Sequence, residues 1–144
     1  MSDGLGGHGP RLLGHAQCLA LLRAHRFGRM AVAVDEEPTI FPVNYRTDGD
    51  TIVIRTAAGY KLEEAPLRTV AFEIDDADPT PDRSWGWSVL VRGPCVDITT
   101  SLDTLSEHLR DLTVQPWVPG AREHWLSITI RHLSGRAFGP VPTG

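Results

Sequence analysis

Thr39-Ile-Phe-Pro-Val-Asn-Tyr45, Thr47-Asp-Gly-Asp50 and Thr51-Ile-Val-Ile-Arg-Thr56 follow one another almost without interruption. Two runs rich in β-branched and aromatic residues flank an Asp-Gly pair, which is a strong short-range hairpin signal. Directly after them comes Ala57-Ala-Gly-Tyr-Lys-Leu62. Lys61 is the only lysine of the chain, and the other basic residues of its 14 Lys+Arg are arginine. Lysine carries a compact ammonium and arginine a planar fork. Arg55, the Thr56 hydroxyl and Lys61 therefore offer two cations and a neutral donor around the turn that Gly59 permits. That set suits an anion with several acceptor oxygens, such as a phosphate. A short helix starting at Tyr60 adds free N–H groups to the same place. The alternative is a strand end with two solvated charges. The stretch matches neither a P-loop nor a dinucleotide fingerprint.

Outward from the hairpin, Met30-Ala-Val-Ala-Val34 is a preceding strand, separated from Thr39–Tyr45 by the turn Asp35-Glu-Glu-Pro38. Leu12 to His25 has a helical period, with Leu12, Ala16, Leu19 and Leu22 as its stripe. On the other side, Lys61 to Ala65 fits a helical turn stopped by Pro66. Thr69 to Ile74 is a strand, and the aspartate-rich Asp75–Arg83 is expected to be a loop. Trp85 to Ile98 is the longest strand. Trp85, Trp87, Val89 and Val91 share one face, and Gly93-Pro94 is expected to split it. Thr100 to Leu112 is a helix with Leu102, Leu105, Leu109 and Leu112 in line. His124 to Ser134 is a last strand, followed by a Gly/Pro-rich tail. The implied fold is mainly β: an antiparallel six-stranded split β-barrel with peripheral helices, closed to remove its edges. The expected organisation is a flexible arm over 1–11, one domain over 12–138 and a tail over 139–144.

The 144 residues carry 41% hydrophobic and 22% charged side chains and a net charge of −4. This is ordinary for a globular domain and lacks the basic footprint of a nucleic-acid binder. No apolar run approaches the ~20 residues that span a bilayer, and the N-terminus has no signal-peptide core. A cytoplasmic location is expected, with Cys18 and Cys95 as free buried thiols. Asp75, Asp76, Asp78 and Asp82 lack the spacing of a calcium loop. The scattered histidines form no metal-ligand pair. His124 and His132 are candidates for lining a substrate pocket.

Several stretches in fixed order carry a resemblance. They are Cys18-Leu19 with Leu21-Leu22 and Gly28-Arg29, then Pro42-Val43-Asn44-Tyr45, and Arg55-Thr56 with Gly59 and Lys61-Leu62. Val70 to Asp75, Gly86 to Gly93 and Ser134-Gly135-Arg136 follow. Together they resemble the pyridoxamine 5′-phosphate oxidase-like family of flavin-binding split barrels, in its short actinobacterial branch, over residues 15 to 137. The resemblance implies a homodimer with FMN at the interface, while the charge and hydropathy above imply no nucleic-acid or membrane partner. Arg55, Thr56 and Lys61 would hold the phosphate. Pro42, Val43 and Asn44 would run along the ring edge with their main chain. Trp87 and Ser88 would come from the partner subunit; Trp87 is at least as well suited to core packing, Ser88 equally to bonding a neighbouring strand, and Asn44 also to forming the turn before the hairpin. The implied activity is that of a flavin-dependent oxidoreductase on an unidentified small molecule. The alternatives are a flavin carrier or sensor without turnover, the same barrel binding a deazaflavin coenzyme or haem, and a barrel that has lost its cofactor. The chain departs from the family pattern at Tyr60, where a small hydroxyl residue is common, and at Glu63 and Glu64. It also ends at Gly144, short of the segment with which full-length oxidases grip pyridoxal phosphate.

Overall fold

The computed structural model describes residues 9–56, 68–116 and 124–140. Among them are eight strands: β1 (Arg11–Leu12), β2 (Phe27–Val34), β3 (Glu37–Asp48), β4 (Thr51–Thr56), β5 (Arg68–Asp78), β6 (Trp85–Asp97), β7 (His124–Thr129) and β8 (His132–Phe138). Two helices, α1 (His15–Ala24) and α2 (Thr104–Arg110), accompany them. The sheet order is β1-β8-β6-β5-β2-β3-β4-β7, and β7 also pairs with β6. That last pairing closes a ring of six antiparallel strands, β6-β5-β2-β3-β4-β7. It leaves β8 and β1 as a side sheet hung on β6.

The closure depends on one strand having two partners. Gly86 to Arg92 of β6 pairs with β8, and Cys95 to Asp97 pairs with β7. The exchange falls at Gly93-Pro94, but the split expected there is not found: β6 runs unbroken from Trp85 to Asp97 because β5 pairs with it continuously across both residues. A Cβ at Gly93 would lie 1.7 Å from the Thr129 carbonyl oxygen. Only glycine lets the chain leaving β7 pass that close over β6. The same crossing corrects the expectation of one strand over His124–Ser134. Ile130 donates to Asp50 O at 2.8 Å and Arg131 to Arg92 O at 3.1 Å. These bonds end β7 and start β8, which continues through what the sequence marks as tail.

Three further boundaries differ from the sequence expectation, each for a local reason. Asp75 to Asp78 belong to β5 and pair with Ser88 to Trp85. A complete ladder outweighs the poor strand propensity of aspartate. Helix α1 begins at His15, because Leu12 pairs with Arg136 and Leu13 donates to Gly135 O at 2.9 Å. Its buried stripe is Cys18, Leu21 and Leu22, while Leu12 is 78% exposed. Helix α2 begins at Thr104, because the Asp103 carboxylate accepts the Ser106 N–H at 2.9 Å and the Ser106 hydroxyl at 2.7 Å. This is an N-cap, with Leu102 and Leu105 left exposed. The hairpin β3–β4 holds, with Gly49 at φ 59 in its turn.

Inside the ring, Met30, Tyr45, Ile52, Ile54, Phe72, Ile74, Val89, Leu126 and Ile128 form the main core, together with the buried face of α1. Outside β4, Val53 packs with Ile98, Leu109 and Val114 beneath α2. Three carbonyls at the C-terminal end of α1 find side-chain donors. His25 Nδ1 meets Leu21 O at 2.7 Å, the Tyr45 hydroxyl meets Leu22 O at 2.7 Å and Arg26 meets Arg23 O at 2.7 Å. Burial pushes the Tyr45 phenol well above its ordinary pKa. Tyr45→Phe strands the buried Leu22 carbonyl. The expected cost is about 1–2 kcal/mol in urea unfolding, the range for an unmet buried acceptor.

Candidate functional site

The hairpin β3–β4 is paired only from Tyr45↔Ile54 to Asp48↔Thr51. Beyond Tyr45, β3 continues along β2 alone, from Asn44↔Phe27 to Glu37↔Val34. Among the described residues no strand covers the other edge of Glu37 to Asn44. Past Tyr45↔Ile54 the described ladder between β3 and the far end of β4 is open, and Pro42, Val43 and Asn44 lie along that opening. Pro42 faces outward, Val43 is buried in the core and Asn44 is half-buried.

Arg55 and Thr56 lie at the β4 side of that opening, opposite Trp125 and His124 in the β4–β7 ladder. Arg55 donates to Val114 O at 3.0 Å, and its guanidinium sits 5.3 Å from the Trp125 ring centre. Asn44 Nδ2 donates to Gln115 O at 3.1 Å. The segment after α2 thus ties the two sides together through adjacent carbonyls. Thr56 is buried. His124 contacts Asp97 at 3.1 Å. Burial alone would raise the Asp97 carboxyl, but the Thr99 hydroxyl and N–H and His124 hold it below its ordinary value. A guanidinium fixed by a carbonyl and an aromatic face is preorganised, so little freedom is lost when it takes an anion. Lys61 lies outside the described residues, as do Tyr60, Glu63 and Glu64.

Trp125 and the carbonyls of Val114 and Gln115 are absent from the sequence-derived set. Their role depends on a pairing between residues 55 and 125, for which the sequence carries no local signal.

Trp87 and Ser88 stand apart from this opening, toward the other end of β6. Trp87 is buried, its ring centre 4.9 Å from that of His25. Ser88 faces outward between Asp75 and Arg136 and lines a concavity of about 500 Å³ that includes Phe138. Within one chain, the described residues do not bring Trp87 and Ser88 to Arg55.

Between the two lies the outer face of β2, β3, β5 and β6. Ile40, Leu90, Ala31 and Ala71 surround Arg29, Glu73 and Asp75 there. Burial pushes the Glu73 carboxyl up to about 7, helped by a hydrogen bond and repulsion from Asp75, while Arg29 at 3.6 Å opposes the shift and is outweighed. Below the ordinary value of 4.5 the group is protonated in folded and unfolded chains alike. As pH rises through about 7 the folded chain must ionise it, so its contribution to stability falls across that window. Glu73→Gln is expected to raise the urea midpoint relative to the parent at about pH 7.5, with the gap closing toward about pH 4.5. A gap independent of pH would rule this out.

Among the described residues no three His, Cys, Asp or Glu side chains gather as a metal site. No helix among them is long and apolar enough to cross a membrane. Cys18 and Cys95 are free and buried.

A closed six-stranded antiparallel ring that shares one strand with a side sheet defines the split-barrel class. A family model described as pyridoxamine 5′-phosphate oxidase matches residues 14–137, and the chain belongs to that family. Similar solved structures include an FAD-binding protein from Mycobacterium smegmatis, at 32% identity and a TM-score of 0.70 over 89% of this chain and 99% of that one. A putative pyridoxamine 5′-phosphate oxidase from Corynebacterium glutamicum is 30% identical with a TM-score of 0.74, covering 92% and 96%. An FAD-binding protein from Mesorhizobium loti is 25% identical with a TM-score of 0.64, covering 89% and 97%. No curated protein matches the chain.

Proposed function

We propose that this chain binds a flavin nucleotide in the opening between β3 and β4, as a homodimer, and serves as an oxidoreductase for a small molecule. The observation that carries this is the fixed Arg55 beside Thr56, facing a stretch of β3 whose outer edge no described strand occupies. A flavin needs that combination: charge-assisted donors for its phosphate, and exposed main chain for the polar rim of a flat ring. Arg55, Thr56 and Lys61 would hold the phosphate, with Pro42, Val43 and Asn44 along the ring. Trp87 and Ser88 of a second copy would complete the site, since they lie apart from it within one chain. When bound, the flavin supplies the electron transfer, and the protein's task is to orient it and set its surroundings.

A terminal phosphate held by two cations and a hydroxyl favours FMN. FAD is the second reading, because two of the similar structures are FAD-binding proteins. The deciding experiment is an absorbance spectrum of the purified protein, followed by titration with FMN, FAD, riboflavin, a deazaflavin coenzyme and haemin. Tight FMN uptake with weak riboflavin uptake supports the phosphate assignment. Preference for FAD changes the cofactor and keeps the site. Uptake of neither flavin overturns the proposal. Turnover with a reduced nicotinamide then separates an enzyme from a carrier or sensor.

A further inference from the structure

The turn from β7 to β8 builds a second cationic place, at the end of the barrel away from Thr56. Because Gly93 admits the crossing chain, the Arg131 N–H reaches Arg92 O at 3.1 Å. In the β6–β8 ladder Arg92 stands opposite His132, and Leu90 stands opposite Ser134. His15, the first residue of α1, joins them around a concavity of about 450 Å³. No acidic side chain lines it. None of His15, Arg92, Arg131 and His132 forms an ion pair with any described residue. This occurs in a chain with 18 acidic residues against 14 Lys+Arg. Arg92 and Arg131, both permanently charged, share this concavity with no acidic side chain in its lining, so fold stability alone gives no reason for the arrangement.

We propose that this concavity is an anion-binding site, distinct from the flavin site, for a pyrophosphate group, either free or within a nucleotide. Two guanidinium forks match phosphate oxygens in pairs. The histidine N–H groups and the Ser134 hydroxyl add donors, and the aliphatic wall around Leu90 suits a flat base. The volume falls in the ~300–1,000 Å³ range of small-molecule sites.

The test is calorimetric titration of the full chain with pyrophosphate, ADP and inorganic phosphate at low ionic strength. It uses the parent, an R92Q/R131Q double variant and R55A. Saturable pyrophosphate binding is expected in the parent and in R55A, and binding weaker by about tenfold or more is expected in the double variant. Tighter binding of ADP than of pyrophosphate identifies a nucleotide as the source, and equal binding identifies the anion alone. Both results support the site. No saturable pyrophosphate binding, unchanged binding in the double variant, or binding lost in R55A each overturns it. The altered arginines are exposed, and circular dichroism confirms that the double variant is folded. The R55A arm keeps this result separate from that of the flavin site.

Discussion

Gly93→Ala is expected to leave the protein unfolded or insoluble, with a stability loss of about 4 kcal/mol or more in any fraction that still folds. Losses of that size come from a short list of causes, and a backbone clash that cannot relax is among them. The added methyl would sit 1.7 Å from Thr129 O and 2.9 Å from the carbonyl carbon. A side chain could rotate away, but these are main-chain atoms. Moving them breaks the Arg131–Arg92 bond and pulls β7 from β6. The first contact starts the side sheet and the second closes the ring, so strain reaches both. The measurement is urea unfolding followed by circular dichroism. A midpoint close to the parent's would mean that the crossing at Gly93 can yield to a side chain and does not limit stability.

Flavin affinity should respond as strongly to the phosphate cations as the barrel does to Gly93. Lys61→Ala is expected to weaken FMN binding by about 1.5–3 kcal/mol, the range for hydrogen bonds to charged groups. Arg55→Ala is expected to do the same, and also to release the Val114 carbonyl and the Trp125 ring. A small loss of stability therefore accompanies the arginine change. Riboflavin lacks the phosphate and should bind all three proteins nearly alike. Equal FMN affinity across parent and variants, read by fluorescence quenching, would remove the phosphate assignment.

Much of this architecture was legible in local pattern. Alternation along Trp85 to Val91 marks an inward face, and Trp87, Val89 and Val91 are buried. The Asp-Gly pair gives the hairpin, whereas Gly93-Pro94, which reads as a break, marks instead the point where an unbroken β6 changes partner. What was not legible depends on partners distant in sequence. Asp75 to Asp78 are a strand because β6 supplies a ladder. Leu12 is not helical because Arg136 pairs with it. Leu102 and Leu105 sit at helical spacing yet face solvent, because Asp103 starts α2 two residues after Leu102 and the packing turns on Leu109. For the candidate site, residue chemistry points to Arg55 and Thr56, and the family resemblance to Asn44. Neither points to Trp125, Val114 and Gln115, since a carbonyl acceptor has no signature in the sequence.

The last ring strand to be made is β7, and both of its neighbours, β4 and β6, precede it in the chain. During synthesis the growing polypeptide therefore carries two unpaired strand borders until residues 124–129 have emerged. Such borders invite pairing with other chains. Closure must also join segments as far apart as Thr51 and Thr129, which makes it slow relative to hairpin formation. A chain cut before His124 should accumulate as aggregate rather than as a smaller folded domain.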